Sequence, residues 1–358
     1  MIDGINGVTT DSDDYPELKA RSRVTLSGCV TDKAGAIAED FNGTVDIQLY
    51  DAEKVIETYG NGEDGEISTY NDRKTRLYTG RTTVKNGRWE TEFIMPSEIE
   101  NNYSPALFSL YAMNEEGEEA NGSLERLYVY GFDTSAIDDN EGPTITDFYL
   151  NEPGFKEGSS IGPNPVVYAT LSDESGINLS EGGIGHRMTL SIDGKEWHED
   201  LNLYYSPDIE SFEKGKLSYP LQGIEPGDHT LTLTVWDNAN NSSSSTLSFT
   251  VRADWKPGIT ELSTDVNPAS TSVNFLISVD GSVGQMPCKL EVFDLGGKLL
   301  WSTQTSGFSE SMNSLSHRWD LRDNNGRRVP RGIYLYRSTV TTPEGHVVTK
   351  TNKLAVTS

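Results

Sequence analysis

Apolar and polar residues alternate with a period of two along almost the whole chain, and this pattern restricts the possible folds more than any other feature. In LTLTVWDNANNSSSSTLSFTV, apolar residues occupy alternate positions of 231–235 and 247–251, on either side of a polar turn. Such alternation is typical of strands that bury one face. The dipeptide Asn86-Gly87 lies between two further alternating runs, which predicts a β-hairpin. The chain is therefore expected to be all-β.

Turn-rich segments divide the pattern into three blocks, which fits a chain of 358 residues, too long for one compact core. The rhythm of short strands and turns predicts three consecutive β-sandwich domains of the immunoglobulin/fibronectin-like kind. Only YDAEKVIETY, at 50–59, has any helical character. The expected organisation is a disordered or non-native lead at 1–20, followed by domains at 21–135, 142–254 and 258–358.

Charge is distributed unevenly along the three blocks. Residues 1–141 carry 29 acids and 12 bases (net −17), residues 142–256 carry 17 and 7 (net −10), and residues 257–358 carry 9 and 10 (net +1). The acidic blocks would repel nucleic acid and anionic membranes. No run of eighteen apolar residues occurs, so we expect neither a nucleic-acid partner nor a membrane span.

No catalytic constellation is recognisable in the sequence. Cys29 and Cys288 each adjoin strand-like residues, so buried free thiols are favoured over a disulfide. None of the five histidines lies in a recognisable catalytic motif, and GxSxG, HExxH, Walker and paired-cysteine zinc motifs are absent. We therefore predict that this chain contains no catalytic residue.

Acidic residues in turns suggest a calcium site as the most plausible site chemistry. Asp173 and Asp237 follow strands of the middle block, and the linker before that block carries Asp138, Asp139 and Glu141. Clustered carboxylates suit Ca²⁺, which takes six to eight oxygen ligands. The alternative is that these residues only shape turns. No other cofactor is expected.

Aromatic residues offer a second, weaker possibility, a platform for sugar binding. The candidates are Trp197, Tyr204, Tyr205 and Trp255. Single aromatic residues in strands more often pack in a core, and that alternative stays open.

The last hundred residues resemble the C-terminal sorting domains of type IX secretion in Bacteroidetes. The resemblance rests on VFDLGGKLL, RWDLRDNNGRRVPRGIYLYR and KTNKLAV. These segments match a V-x-D-x-x-G-x-x-L hairpin, a W-D-x-x-D-x-x-G-x-x-V-x-x-G-x-Y-x-Y-R segment and a terminal K-L-x-V strand. The matching residues are Asp294, Gly297, Trp319, Asp320, Asp323, Gly326, Val329, Gly332, Tyr334, Tyr336, Arg337, Lys353 and Leu354.

The earlier blocks extend this resemblance to the PorU family, the gingipain-like sortases of the same system. DFNGTVDIQLYD, LYTGRTTVKNGRWETEFIMP and LSDESGINLSEGGIGHRMTLSIDG are similar to the region after the peptidase domain. The resemblance implies the non-catalytic part of a cell-surface cysteine endopeptidase that removes C-terminal signals from exported cargo. The catalytic domain would lie upstream, and the protein would reach the outer membrane through the periplasm.

The resemblance also implies a partner, an outer-membrane β-barrel shuttle protein. The basic turn and the strands beside it supply the candidate partner-binding residues Arg327, Arg328, Arg331, Tyr334 and Lys353. Alternatively, the arginines only solvate a hairpin. A different functional class also stays open, in which the chain is an extracellular glycan-binding or adhesin module that carries a sorting domain.

Overall fold

A computed structural model describes residues 1–10, 15–61, 65–136, 138–180, 186–198, 200–255, 258–279, 287–305, 314–341 and 347–357. Within these ranges the regular structure is β-strand apart from one 3-10 turn at Asn202–Tyr204. The predicted all-β class is thereby confirmed. No helix in the described ranges has the length and apolar character needed to cross a membrane.

The chain divides into two compact units. Unit 1 comprises Met1–Asp147, Ala169–Leu217 and Leu231–Thr246, and unit 2 comprises Phe148–Tyr168, Ser218–Thr230 and Leu247–Ser358. These units do not coincide with the three domains expected from sequence, whose boundaries stay predictions.

The first twelve strands form two facing four-stranded sheets and two small strand pairs. Their sheet orders are β2-β1-β4-β9 and β11-β10-β5-β8, with β12 parallel to β3 and β6 antiparallel to β7. The strands are β1 (Ile2–Ile5), β2 (Val8–Thr9), β3 (Glu17–Ala20), β4 (Arg23–Cys29), β5 (Gly43–Tyr50), β6 (Lys54–Glu57), β7 (Thr69–Asp72), β8 (Arg76–Val84), β9 (Arg88–Ile94), β10 (Leu107–Asn114), β11 (Glu119–Leu124) and β12 (Tyr128–Phe132).

The core of these sheets corrects the expectation of a disordered lead. Ile2 and Ile5 are buried in β1, which pairs with β4, and Leu18 is fully buried in β3. The apolar residues Ile2, Ile5 and Leu18 complete the core. Residues 2–5 and 17–20 are therefore strands of the first sandwich.

The segment with helical character is also a strand. Lys54–Glu57 forms β6 and pairs with β7, with Val55 opposite Asn71 and Ile56 opposite Tyr70. The β-branched pair Val55-Ile56 favours extended backbone, and partner residues that are distant in sequence determine the outcome.

The predicted Asn86-Gly87 turn forms between β8 and β9. Lys85 and Arg88 exchange backbone hydrogen bonds of 2.8 and 3.0 Å, and both turn residues have positive φ (51° and 72°). This is the backbone of a type I′ turn, which favours Asn-Gly. The two strands then diverge into different sheets, so the hairpin joins the two layers of the sandwich.

Nine strands form the middle sheets, whose orders are β13-β15-β19-β18 and β14-β21-β20-β16-β17. The strands are β13 (Thr144–Leu150), β14 (Ser160–Ile161), β15 (Val166–Ser172), β16 (Thr189–Ile192), β17 (Lys195–His198), β18 (Tyr205–Pro207), β19 (Lys214–Pro220), β20 (Gly227–Trp236) and β21 (Ser242–Val251).

The last seven strands form a three-stranded sheet, β22-β23-β26, and a four-stranded sheet, β25-β24-β27-β28. Their shared core contains the aromatic residues Phe275, Trp319 and Tyr336, each at most 1% exposed. The strands are β22 (Ile259–Thr264), β23 (Val273–Val279), β24 (Cys288–Phe293), β25 (Leu299–Thr305), β26 (Ser314–Trp319), β27 (Gly332–Thr341) and β28 (Val347–Val356).

Candidate functional site

Three aspartates from separate segments of unit 1 converge. Asp139 lies in the linker before β13, Asp173 directly follows β15, and Asp237 directly follows β20. One carboxylate oxygen of each lies within 4.8 Å of the others. Asp237 is fully buried and the other two are half-buried. Of the acids considered from sequence, the structure thus brings together Asp173, Asp237 and the linker residue Asp139, while metal binding itself stays a prediction.

Local turns hold all three carboxylates in place, and Asp139 Oδ1 accepts the backbone N–H of Glu141 at 3.1 Å. Asp173 Oδ1 accepts the backbone N–H of Ser175 at 2.8 Å. Asp237 Oδ1 accepts the N–H groups of Ala239 and Asn241, each at 2.8 Å. These are Asx-type turns, in which a short side chain bonds to backbone a few residues later. The nearby sequence alone therefore fixes the direction of each carboxylate.

Polar side chains connect Asp139 to the other two turns. The Ser175 hydroxyl donates a hydrogen bond to the Asp139 carboxylate. The side-chain amide of Asn241 donates to the Asp139 carbonyl at 3.1 Å and to Asp237 Oδ2 at 2.8 Å. Hydrogen bonds thus link the segments that carry the three aspartates.

The cluster is electrostatically unfavourable for three charged carboxylates. Burial, reinforced by the neighbouring carboxylates, raises the pKa of Asp173 from 3.8 to about 7, although Ser175 N–H bonding opposes the change. Burial also raises the pKa of Asp237, against the opposing hydrogen bonds from Asn241. A bound cation or a proton would relieve this cost.

The donor set fits a hard cation such as Ca²⁺. Carboxylate oxygens are its preferred ligands, and water molecules commonly complete the coordination shell. The other linker acids lie outside the cluster, since the Asp138 side chain is 91% exposed and Glu141 is also exposed. A cavity of about 340 Å³ borders Asp139.

A buried amide joins this region to the first sandwich within unit 1. The Asn238 side chain donates to the carbonyls of Ile94 and Ser175, both at 3.0 Å. The backbone carbonyl of Asn238 accepts the N–H and the hydroxyl of Ser97, both at 2.8 Å. Because Asn238 directly follows Asp237, an ion held by the aspartates would also stiffen this connection.

The C-terminal motif forms a rigid turn beside a buried tryptophan. Trp319 is 1% exposed and its Nε1–H donates to the Arg322 carbonyl at 2.7 Å. Asp323 Oδ1 accepts the N–H groups of Asn325 and Arg327, each at 2.9 Å, and these bonds lower the pKa of that carboxyl. Gly326 supplies a φ of 75°, which a residue with a side chain rarely adopts.

The turn presents most of the predicted partner-binding residues to solvent. Arg327, Arg331 and Lys353 are exposed. Arg328 is exposed as well, but its guanidinium donates to the Ser270 carbonyl and thus supports the loop before β23. Partner binding by these residues stays a prediction.

Tyr334 differs from the other candidates because its side chain faces the core. It is 5% exposed and its hydroxyl donates to the Pro330 carbonyl. Tyr336 shares this buried face, whereas Ile333 on the opposite face is 52% exposed. The alternation predicted from sequence is confirmed, and the burial assigns Tyr334 to the core rather than to a partner-binding surface.

The aromatic residues suggested for a sugar platform do not form one in the described structure. Tyr205 is 6% exposed and belongs to the core, and Tyr204 is half-buried. The Trp255 ring lies against the backbone of Gly162. The Trp197 side chain lies outside the described residues.

Both cysteines are buried and free, as predicted. Cys288 is fully buried, with its sulfur 3.5 Å from the Ser338 hydroxyl, and burial raises the pKa of the thiol. A raised pKa disfavours the nucleophilic thiolate.

The fold and these sites define a series of β-sandwich modules with a cluster of three aspartates and an exposed basic turn. The chain is similar along 100% of its length to PorU from Porphyromonas gingivalis, at 30% sequence identity. The chain spans only 33% of the length of that protein, and the TM-score is 0.46.

Two further solved structures have much weaker likenesses. The fibronectin(III)-like modules of CbhA from Clostridium thermocellum match 60% of this chain and 93% of theirs, at 10% identity and a TM-score of 0.22. The match to the tandem Ig repeats of Dlar covers 61% of this chain and 99% of the Dlar chain, at 11% identity and a TM-score of 0.24. No protein-family model matches, and no curated protein is significantly similar.

Proposed function

We propose that this chain is the non-catalytic docking and spacer region of a type IX secretion sortase, a gingipain-like cysteine endopeptidase. In this proposal the catalytic domain lies upstream of this region in the same protein. The whole protein acts at the cell surface. The C-terminal sandwich is a sorting-type domain that docks onto an outer-membrane β-barrel shuttle protein. Sequence identity of 30% over the full chain and the motif residues around Trp319 support this proposal.

One observation carries the docking role, the exposed basic turn on a rigid scaffold. Arg327 and Arg331 extend from a turn fixed by Asp323 and by the buried Trp319. The block that holds them is close to neutral, while the two earlier blocks carry net charges of −17 and −10. An acidic partner surface would therefore be attracted to this end of the chain and repelled by the rest.

Charge reversal in the turn is expected to weaken partner binding at least tenfold, because complementary charges steer and hold such complexes. The variant is Arg327→Glu/Arg331→Glu, which leaves the structural Arg328 intact. The measurement is co-purification of the full chain with the outer-membrane shuttle protein at two salt concentrations.

The matched control is Lys298→Glu/Arg318→Glu, which changes the net charge equally at two exposed positions of the same domain. The control should bind as the unaltered protein does. Equal binding by all three proteins would remove the docking role of the turn.

A calcium ion at the aspartate cluster is the second part of the proposal. The ion would be structural: Asp139, Asp173 and Asp237 would hold it, and it would neutralise their charge beside the Asn238 connection. Such a role fits a spacer, because the ion would stiffen the connection that Asn238 makes to Ile94 and Ser97 within unit 1.

A further inference from the structure

Four tyrosines of the first sandwich form a continuous cluster of rings. Tyr128 stacks on Tyr103 with centroids 4.4 Å apart and planes at 10°, and it stacks on Tyr15 at 5.4 Å. Tyr130 meets the Tyr103 ring edge-on at 5.3 Å. We call these four residues the tyrosine cluster. Each of the four rings packs against at least one other ring of the cluster, and this packing restricts the side-chain rotamers.

The tyrosine cluster is exposed and is not needed to fill the core. Tyr103 is 57% exposed, Tyr130 is 43% exposed and Tyr15 is 37% exposed. The core side of this part of the fold is filled by Leu127 and Val129, both fully buried. Contiguous exposed aromatic rings on a folded domain indicate a binding surface, since scattered exposure is the usual case.

Planar polar groups lie beside the rings. The Tyr103 hydroxyl donates to Glu17 at 2.8 Å, and the Arg126 guanidinium lies 5.3 Å from the Tyr15 ring centroid. The side-chain oxygen of Asn101 accepts the Gly131 N–H at 3.0 Å and fixes the loop that carries Tyr103. Phenol, carboxylate and guanidinium groups therefore border one aromatic surface.

This combination matches the chemistry of a saccharide. The C–H faces of a sugar ring pack on the electron-rich faces of aromatic rings, and its hydroxyls pair with carboxylate and guanidinium groups. The neighbouring aliphatic side chains, Leu18, Leu127 and Val129, are all buried, so they contribute no exposed apolar surface beside the rings. The net charge of −17 over residues 1–141 disfavours an anionic ligand.

We propose that the tyrosine cluster binds an uncharged saccharide. The site is separate from the basic turn and from the aspartate cluster, so it does not depend on the docking role proposed above. It also uses none of the aromatic residues that the sequence suggested for sugar binding.

Affinity electrophoresis of the full chain tests this assignment directly. The probes are native gels that contain mixed-linkage β-glucan, galactomannan or dextran, with alginate as the anionic comparison. At least one neutral polymer should retard the unaltered protein. The double variant Tyr103→Ala/Tyr130→Ala should lose affinity about tenfold or more, because it removes two stacking rings.

Two further variants keep the test interpretable. Tyr111→Ala removes a tyrosine of β10 that is 40% exposed but outside the cluster, and it should bind normally. Tyr103→Phe removes only the hydroxyl that contacts Glu17 and should weaken binding less than the double variant. Three outcomes would overturn the assignment: no retardation by any neutral polymer, equal loss in Tyr111→Ala, or preferential binding to alginate.

Discussion

Replacing Trp319 with alanine is expected to lower the free energy of unfolding of the C-terminal sandwich by about 3–5 kcal/mol, the usual cost of removing a buried aromatic side chain. Trp319 packs against Phe275 and Trp301, with ring centroids 6.1 and 5.8 Å away, and its indole N–H satisfies the Arg322 carbonyl. The change should be measured by urea unfolding combined with hydrogen exchange, which localises the loss to β23, β26 and β27.

Trp301→Ala is the matched control, because Trp301 lies in the same aromatic group but is only half-buried. This variant should lower the free energy of unfolding by a smaller amount, about 1–2 kcal/mol, because Trp301 buries less of its apolar surface than Trp319 does. Only Trp319→Ala should also release the turn that carries Arg327. Equal losses in the two variants would contradict the role assigned to Trp319.

Adding 1 mM Ca²⁺ is expected to raise the thermal unfolding midpoint of the unaltered protein. An ion at about a hundred times its dissociation constant adds about 2.7 kcal/mol of stability. That gain corresponds to a shift of roughly 5–10 °C for a folding unit of about 150–250 residues, the size class of unit 1. Asp173→Asn should abolish the shift, because it removes a charged ligand yet keeps an oxygen that can accept the Ser175 N–H.

Glu141→Gln is the control for this prediction, since it removes a nearby exposed charge that lies outside the cluster. It should respond to Ca²⁺ as the unaltered protein does. No shift in the unaltered protein would exclude the site, and a full shift in Asp173→Asn would place the ion elsewhere.

The metal-free protein is expected to lose stability as the pH rises from about 4 to about 7. Burial raises the pKa of Asp173 from 3.8 to about 7, so the folded state holds this proton more tightly than the unfolded chain does. The resulting stabilisation is present at low pH and is lost as the carboxyl ionises in the fold.

Urea midpoints at pH 5 and pH 8, with a chelator present, measure this dependence. Asp173→Asn should have a flatter profile and a higher midpoint than the unaltered protein at pH 8. The same pH dependence in both proteins would assign the effect to other groups.

Features encoded in neighbouring residues were predictable from the sequence. The Asn86-Gly87 turn and the alternation of Ile333, Tyr334 and Tyr336 follow from backbone preferences and the period of a strand. The positions of Asp173 and Asp237 directly after strands of the middle block were also predictable, whereas the meeting of their carboxylates depends on the fold.

Features that join distant segments were not predictable. The tyrosine cluster draws on positions 15, 103, 128 and 130, and no local pattern sets these residues apart from core aromatic residues. Lys54–Glu57 is extended because β7 pairs with it, and Ile2 is buried because β1 adds to β4. In each case a contact between residues far apart in the chain outweighs the local composition.

The central proposal is that this region retains a catalytic domain at the cell surface by docking to a partner, and that it does not contribute to the reaction. The most direct test compares the parent protein with and without this region, and measures peptide-bond cleavage and surface retention in the same cells. Without the region, surface retention should fall sharply while the released protein still cleaves a soluble peptide. Loss of cleavage with normal surface retention would contradict the claim.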